Sequence, residues 1–416
     1  MSEIPAHNHE NRMAKDQLSP IPVCPRSRPE DERKSDAAAQ AGMPDLSAKQ
    51  LFRIEEFDLA RQLLRSGAVR QAGFRAELLE RFTGRAHAPV LFQDGEAHQK
   101  QRSATARFFA PKVVATRYRE LMQSLSNRLV ERFRLAGHAE LDAMSLELAV
   151  AVAAEIVGLT ESAQSGMAER LNRFFATTGS QQGWLSALMG FAAGQVRMLA
   201  FYWRDVRPAI RARRAARRED VISHLLDQGY SDREILTECL TYGAAGMATT
   251  REFVVMSAWH LLEREDLRRR FLSGDEPLRL ALLEEILRLE PVVGALYRRT
   301  ERQLTLDGDG GSTTIPAGTL VKIDVRATNT NSVAAGSCPF QLDADRVMGA
   351  SKASASLMSF GDGPHRCPGA SVALQETAIF LDRLLRVPNV HLTRPPRVGW
   401  NPLTSSYELR GALIAT

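Results

Sequence analysis

The residues whose types and spacing point most directly to chemistry lie in Ser359-Phe360-Gly361-Asp362-Gly363-Pro364-His365-Arg366-Cys367-Pro368-Gly369-Ala370. This loop runs straight into the helical pattern Val372-Ala373-Leu374-Gln375-Glu376. A cysteine where a glycine-rich loop meets a helix faces backbone N–H groups and the positive end of the helix dipole, and both favour thiolate over thiol. As an axial ligand of haem iron a thiolate pushes electron density toward O–O cleavage. Gly363 and Gly369 let the loop lie flat beneath a planar macrocycle, and His365 and Arg366 are donors or cations suited to carboxylates or to a docking partner. Two plainer readings compete: an inert buried cysteine, and a dinucleotide loop opening at Gly361-x-Gly363. The second fails because Arg366 stands at the third glycine position and no suitable strand precedes the loop.

Three further constellations carry charge or hydroxyls at helical spacing. Glu285 and Arg288 in Glu285-Ile286-Leu287-Arg288 share a helix face and by themselves would be a surface ion pair. His98 and Arg102 are four apart, and an arginine fork suits a carboxylate. Gly243-Ala244-Ala245-Gly246-Met247-Ala248 precedes Thr249, Thr250, Arg251 and Glu252. Two glycines inside a helix cost about 1 kcal/mol each relative to alanine, so something must approach that backbone closely, whether another helix or a bound group. A threonine there can also bond back to the carbonyl four residues earlier.

The elements that must position these groups are mostly helices. Amphipathic periodicity begins at Leu51 and dominates as far as Arg298. Ser231 with Glu234 forms a capping-box pattern opening a helix predicted to run to about Arg264, about 50 Å at 1.5 Å per residue. Strand-like runs are expected only after Arg298, at Leu304 to Leu306, Thr319 to Ile323, Val390 to Leu392 and Leu409 to Ile414. Of the 416 residues, 44% are hydrophobic and 25% charged, which supports a large buried core. The net charge is +5, and basic clusters such as Arg211, Arg213, Arg214, Arg217 and Arg218 lack the aromatic interleaving or fold signal of a nucleic-acid protein. Cys24, Cys239, Cys338 and Cys367 form no zinc-like spacing, and a disulfide framework is not expected at this length. Residues 1–48 read as a flexible tail with neither signal peptide nor membrane anchor, followed by a single domain over 49–416 of a cytoplasmic protein.

Phe360, Gly363, His365, Cys367 and Gly369 match the pattern Phe-x-x-Gly-x-His-x-Cys-x-Gly, which resembles the haem-ligand signature of the cytochrome P450 family. Glu285, Arg288 and then the Pro316-Ala317-Gly318 turn follow that family's order, and the resemblance extends from near Leu51 to Thr416. It implies a mostly α fold with small β-sheets, with haem b (iron protoporphyrin IX) between the long central helix and the helix after the cysteine loop. It also implies Cys367 as iron ligand, with Phe360, Gly363, His365 and Gly369 around it. His98, Arg102 and Arg299 would bind the propionates and Ala245 would lie over the oxygen-binding face. Thr249 would steer protons to bound oxygen, and Glu285 and Arg288 would join Arg346 in a buried structural triad. By position in the family, the substrate pocket would be lined by Met247, Val292, Val293, Leu296 and Tyr407, with residues around Phe174 to Trp184.

Two departures stand out. The residue before Thr249 is Ala248 where the family usually has an acid that relays protons, and Glu252 is the substitute candidate. The stretch Ala327-Thr328-Asn329-Thr330-Asn331 carries less charge than its family counterpart. The resemblance implies a monooxygenase of secondary metabolism, a monomer, that hydroxylates or epoxidises a small organic substrate. Its electrons would come from NAD(P)H through ferredoxin reductase and an acidic ferredoxin drawn to Lys100, Lys112 and Arg366. Ala248 keeps a peroxide-driven peroxygenase in view as an alternative, and a non-catalytic partner protein is a further one.

Overall fold

The computed structural model describes residues 31–35, 51–73, 89–161, 166–175, 184–308, 310–343, 345–346 and 355–416. Its centre is the helix opened by Ser231, whose hydroxyl and the Glu234 carboxylate form the reciprocal capping box. The helix runs Asp232–Tyr242, passes through a π-helical stretch at Gly243–Ala248, and continues as Thr249–Glu263. The glycine-containing centre is therefore where the helix is locally widened, a feature frequent at functional sites. Beyond it Phe253, Val254, Val255, Met256 and Ala258 are all buried, because this half is walled in by the helices Leu141–Val157, Glu276–Leu289 and Ala370–Leu385. Burying a valine, methionine or phenylalanine side chain in this way contributes about 1.5–3 kcal/mol.

A small mixed sheet flanks this helical body. Leu51–Ile54 pairs in parallel with Leu320–Asp324, which pairs antiparallel with Ala295–Thr300, which in turn pairs antiparallel with Val69–Ala72. Strands before Arg298 were not expected from the sequence, since Val69–Ala72 carries no clear alternation of its own and depends on its partner for definition. Of the later strands, Leu304–Gly308, Leu320–Asp324 and His391–Arg394 fall where expected; the run Leu409 to Ile414 divides into Ser406–Arg410 and Leu413–Ala415 in two different sheets, and Gly311–Ile315 and Arg397–Asn401 were not anticipated.

Two expectations need correction. Residues 31–35, placed by the sequence in a flexible tail, are docked on the helical body. Ser35 is fully buried, its hydroxyl bonded to the Glu290 carboxylate and accepting from Arg326 Nη1 at 2.8 Å. Glu32 N–H donates to the Phe340 carbonyl at 3.1 Å and Lys34 lies over the Trp259 ring. Glu290 is the attractor: burial would raise its pKa, but His260, Arg326 and Ser35 outweigh burial and hold it below the usual carboxylate range. Cys338, moreover, is disulfide-bonded, although no disulfide was expected.

Candidate active site

The cysteine loop is built by close backbone contacts. Cys367 N–H donates to the Phe360 carbonyl at 2.8 Å and Arg366 N–H to the Gly363 carbonyl at 3.1 Å. Gly363 has φ +68°, and a Cβ there would fall 2.3 Å from the Leu64 carbonyl oxygen, so only glycine lets the loop press against the end of helix Phe57–Arg65. Arg65 and Arg61 pin the same corner through Asp362, at 3.0 and 3.3 Å. Helix Ala370–Leu385 starts directly after Gly369.

The Cys367 sulfur accepts from the Gly369 and Ala370 N–H groups, with Arg102 and Arg366 nearby. Those four interactions favour thiolate, as the sequence suggested, yet burial outweighs them and the thiol is pushed up. A cation at the sulfur would reverse that balance, because a coordinating thiol is deprotonated outright.

Beside the sulfur lies a cluster of cationic and imidazole groups. His98, on helix Gly95–Ala106, is buried and stacks on His365 with ring centroids 4.0 Å apart. His365 Nε2 is 3.1 Å from Asp94 Oδ1. Burial, then the charges of His365 and Arg102, push His98 down to about 4. Arg102 Nη2 donates to the Arg366 carbonyl. Arg298 completes the group: it is 4% exposed, acts on His98, and is pushed down to about 10 by burial, with the Asp94 charge opposing.

Arg298, and not Arg299, is the arginine that strand Ala295–Thr300 turns toward His98. Side chains alternate along a strand, and Arg299 points the other way and donates to the Gly318 carbonyl at 3.0 Å. Four basic or imidazole groups with Asp94 as the acid acting among them form a donor set suited to two carboxylates. Haem fits this place: its propionates would satisfy His98, Arg102, Arg298 and His365, and among the described residues no cluster of His, Cys, Asp or Glu offers a competing metal site.

The triad partners meet across 61 residues of sequence. Arg288 donates to both Glu285 oxygens, at 2.7 and 2.8 Å, and Arg346 Nε donates to Glu285 Oε1 at 2.8 Å. The remaining guanidinium hydrogens go to carbonyls of Asn329, Pro339 and Gln341 for Arg288, and of Ala335, Ser337, Cys338 and Gln341 for Arg346. Asn329, noted from sequence only for lacking charge, accepts from Met358 N–H at 2.8 Å and donates to the Arg288 carbonyl and to Ser359 Oγ. It thus links the triad helix to the start of the cysteine loop.

On the long helix Ala245 is exposed and Thr249 partly so, and the Thr249 hydroxyl donates back to the Ala245 carbonyl. Met247, expected in the pocket, is 1% exposed and packs into the core: two residues on from Ala245 it points about half a turn away. Val292 and Tyr407 are likewise core residues, and the Tyr407 hydroxyl donates to the Glu290 carbonyl at 2.9 Å. Val293 and Leu296 are partly exposed, and Leu296 lies against the cysteine loop at Gly361. Of the stretch near Phe174 to Trp184, residues 176–183 lie outside the described residues.

Glu252 is fully engaged elsewhere. Its Oε2 accepts from Leu409 N–H at 2.7 Å and its Oε1 from Arg410 at 2.7 Å and Arg251 at 2.8 Å, so it clamps the strand Ser406–Arg410. Both oxygens of the carboxylate are thus taken up by two arginines and a backbone N–H, and its place is structural. This corrects the sequence-based assignment of Glu252 as substitute relay.

Comparison with known proteins agrees with this geometry. The family model described as "Cytochrome P450" matches residues 277–398, which include the triad pair and the cysteine loop. Cytochrome P450 130 of Mycobacterium tuberculosis is 27% identical over 325 residues, covering 75% of this chain and 74% of that protein. Among solved structures, the versatile P450 enzyme CYP109B1 from Bacillus subtilis superposes with a TM-score of 0.72 at 20% identity, covering 88% of this chain and 93% of that one. HmtN, a post-tailoring hydroxylase of himastatin biosynthesis, gives 0.68 at 21% identity, covering 92% and 96%.

Proposed function

This chain belongs to the cytochrome P450 family, and from that premise we propose that it hydroxylates a C–H bond of a small lipophilic molecule, with epoxidation of an alkene as the variant outcome. The balance is R–H, O2, two electrons and two protons giving R–OH and water. The observation that carries the proposal is the Cys367 sulfur at the start of a helix, with two backbone N–H donors and a propionate-ready cluster beside it. Bound there, haem supplies the redox centre at which one oxygen atom is reduced to water and the other enters the substrate.

The chain's own residues do the rest. Gly369 and Ala370 N–H groups hold the sulfur's charge, and His98, Arg102, Arg298 and His365 orient the macrocycle through its carboxylates. Thr249 donates its Oγ1 proton to the Ala245 carbonyl and, on rotating its side chain toward the exposed Ala245 face, presents that O–H there and passes on protons from solvent, which also replace its own. Leu296 and Val293, with the turn whose Ser405 Oγ lies 3.3 Å from the Tyr297 hydroxyl, give the substrate an apolar wall with few polar anchors. Such a wall suits a neutral lipophilic product of secondary metabolism, and HmtN, a tailoring hydroxylase of similar fold, supports that setting.

Electrons would come from NAD(P)H through a reductase and a small acidic ferredoxin. Lys100, Lys112 and Arg366 are exposed, and Arg366 adjoins Cys367, so a negatively charged carrier is steered to the sulfur side. No described helix is long and apolar enough to cross a membrane, which suits a carrier free in the cytoplasm.

One observation favours a second reading. Ala248 removes the usual acid and Glu252 is locked to Arg410, so the described part of the helix offers no free carboxylate beside Thr249. Hydrogen peroxide brings its own protons and electrons, and R–H with H2O2 gives R–OH and water. Turnover with labelled O2 and the ferredoxin system, set against turnover with H2O2 alone, decides between them. Label in the product supports the monooxygenase; product formed only with peroxide supports the peroxygenase.

A further inference from the structure

Helix Gly95–Ala106 and the first half of the long helix meet through two polar rungs. At one end, Tyr242 interacts with Thr105, whose hydroxyl donates to the Gln101 carbonyl at 3.0 Å. One turn earlier, Gln101 Nε2 donates to Glu238 Oε1 at 2.7 Å, and Val90 N–H donates to the same oxygen at 3.0 Å. Glu238 is 2% exposed, and its other oxygen, Oε2, has no hydrogen-bond partner; the same is true of Gln101 Oε1. Two buried acceptors are thus left bare on two planar groups already joined by one short bond.

We propose that Glu238 is a neutral carboxylic acid whose proton bridges to Gln101, and that this acid–amide pair positions the helix bearing His98 and Arg102 against the long helix. A proton on Oε2 satisfies both bare atoms at once: Oε2–H donates to Gln101 Oε1 while Gln101 Nε2–H donates to Glu238 Oε1. The ionised alternative would bury a carboxylate without a cation and leave Glu238 Oε2 and Gln101 Oε1 both unmatched, which is unfavourable.

The surroundings agree. From its own helix Cys239 and Tyr242 face Glu238, and Tyr230 faces it from the preceding turn; burial pushes all three up, so none carries charge near neutrality. Across the seam stand Gln101 and Val90, and among the described residues no cation acts on the carboxyl. Burial raises Glu238 to about 7 against the two hydrogen bonds that lower it. The proton therefore leaves near neutral pH, and the seam loosens as it does. Its consequence for cofactor retention rests on the reading of His98 and Arg102 as propionate partners, whereas the protonation itself does not.

Infrared spectra of the haem-loaded protein test the pair directly. The expected result is a protonated-acid carbonyl band that E238Q removes and Q101L shifts, since Q101L takes away the partner but leaves the acid. A second protonated acid, Glu376, is unaffected by Gln101 and serves as the internal control. Haem release to a scavenger, followed from about pH 5 to about pH 9, should quicken several-fold through pH 7 in the wild type and stay flat in E238Q, whose amide re-forms a reciprocal pair with Gln101 at every pH. The proposal is overturned if wild type minus E238Q shows only ionised-carboxylate bands, or if Q101L leaves every acid band in place. An altered band with a haem-release profile that is flat in both proteins would keep the acid–amide pair and remove its link to the propionate helix.

Discussion

Arg346 Nε lies 2.8 Å from Glu285 Oε1, and Arg288 grips the same carboxylate from the other side. Three side chains buried in this way hold each other's charge, while six carbonyls, that of Gln341 shared by both arginines, take the seven spare guanidinium hydrogens. Removing one partner strands the others, so E285Q and R346A should each destabilise the protein by about 3–5 kcal/mol and lower haem content, as read by chemical denaturation and absorbance. Losses under 1 kcal/mol would mean the triad is peripheral to the fold.

Strand register puts Arg298 beside His98 and turns Arg299 toward Gly318. R298A should therefore weaken haem binding by about tenfold or more, the worth of one charge-assisted contact, while R299A changes it little. Rates of haem transfer to a scavenger separate the two variants. An equal effect of both would place the propionates elsewhere.

Glu252 clamps Leu409 and Arg410, so E252Q should cost about 1–3 kcal/mol of stability and leave product formed per NAD(P)H nearly unchanged. T249A should do the opposite, sparing stability and diverting electrons to peroxide. Coupling lost in E252Q at unchanged stability would restore Glu252 as a proton carrier.

The pH dependence has a defined sign. Burial alone raises Glu376 to about 8, so the folded chain holds a proton there that the unfolded chain releases near 4.5. Stability from this group is complete below about pH 4.5 and declines as pH rises through about 8, a loss on the order of 4 kcal/mol. Denaturation of wild type against E376Q at several pH values should show a steeper decline in the wild type, and the part between about pH 7 and about pH 8 absent from E376Q, because Glu238, raised to about 7, contributes to both proteins.

Exposed Lys100 and Lys112 stand on the face proposed to meet ferredoxin. K100E with K112E should slow reduction by an acidic ferredoxin about tenfold at low salt and flatten its salt dependence, with stability unchanged. Stopped-flow reduction measures it; an unaffected rate would move the docking face.

Much of this was legible in the sequence because the groups concerned act at short, fixed spacing. The cysteine loop needs glycine where φ is positive at Gly361 and Gly363, and Glu285 with Arg288 need only one helical turn. What escaped depends on which side of an element faces inward. Adjacent Arg298 and Arg299 are equivalent until strand pairing chooses between them, and the π-helical stretch decides that Ala245 is accessible while Met247 is core. Long-range partners escaped for the same reason. Ser35 is an ordinary tail serine until Glu290 and Arg326 bind it, and Glu238 is an ordinary helix glutamate until Gln101 faces it from 137 residues away.

The proposed function stands on ligation of haem iron by the Cys367 thiolate. Its most direct measurement is the carbon monoxide difference spectrum of the reduced, haem-loaded protein beside that of C367H. Thiolate ligation predicts the long-wavelength Soret band that only an electron-donating sulfur opposite carbon monoxide produces, replaced in C367H by the shorter-wavelength band of a neutral ligand. The shorter-wavelength band in the wild type, or the long-wavelength band surviving in C367H, would contradict it.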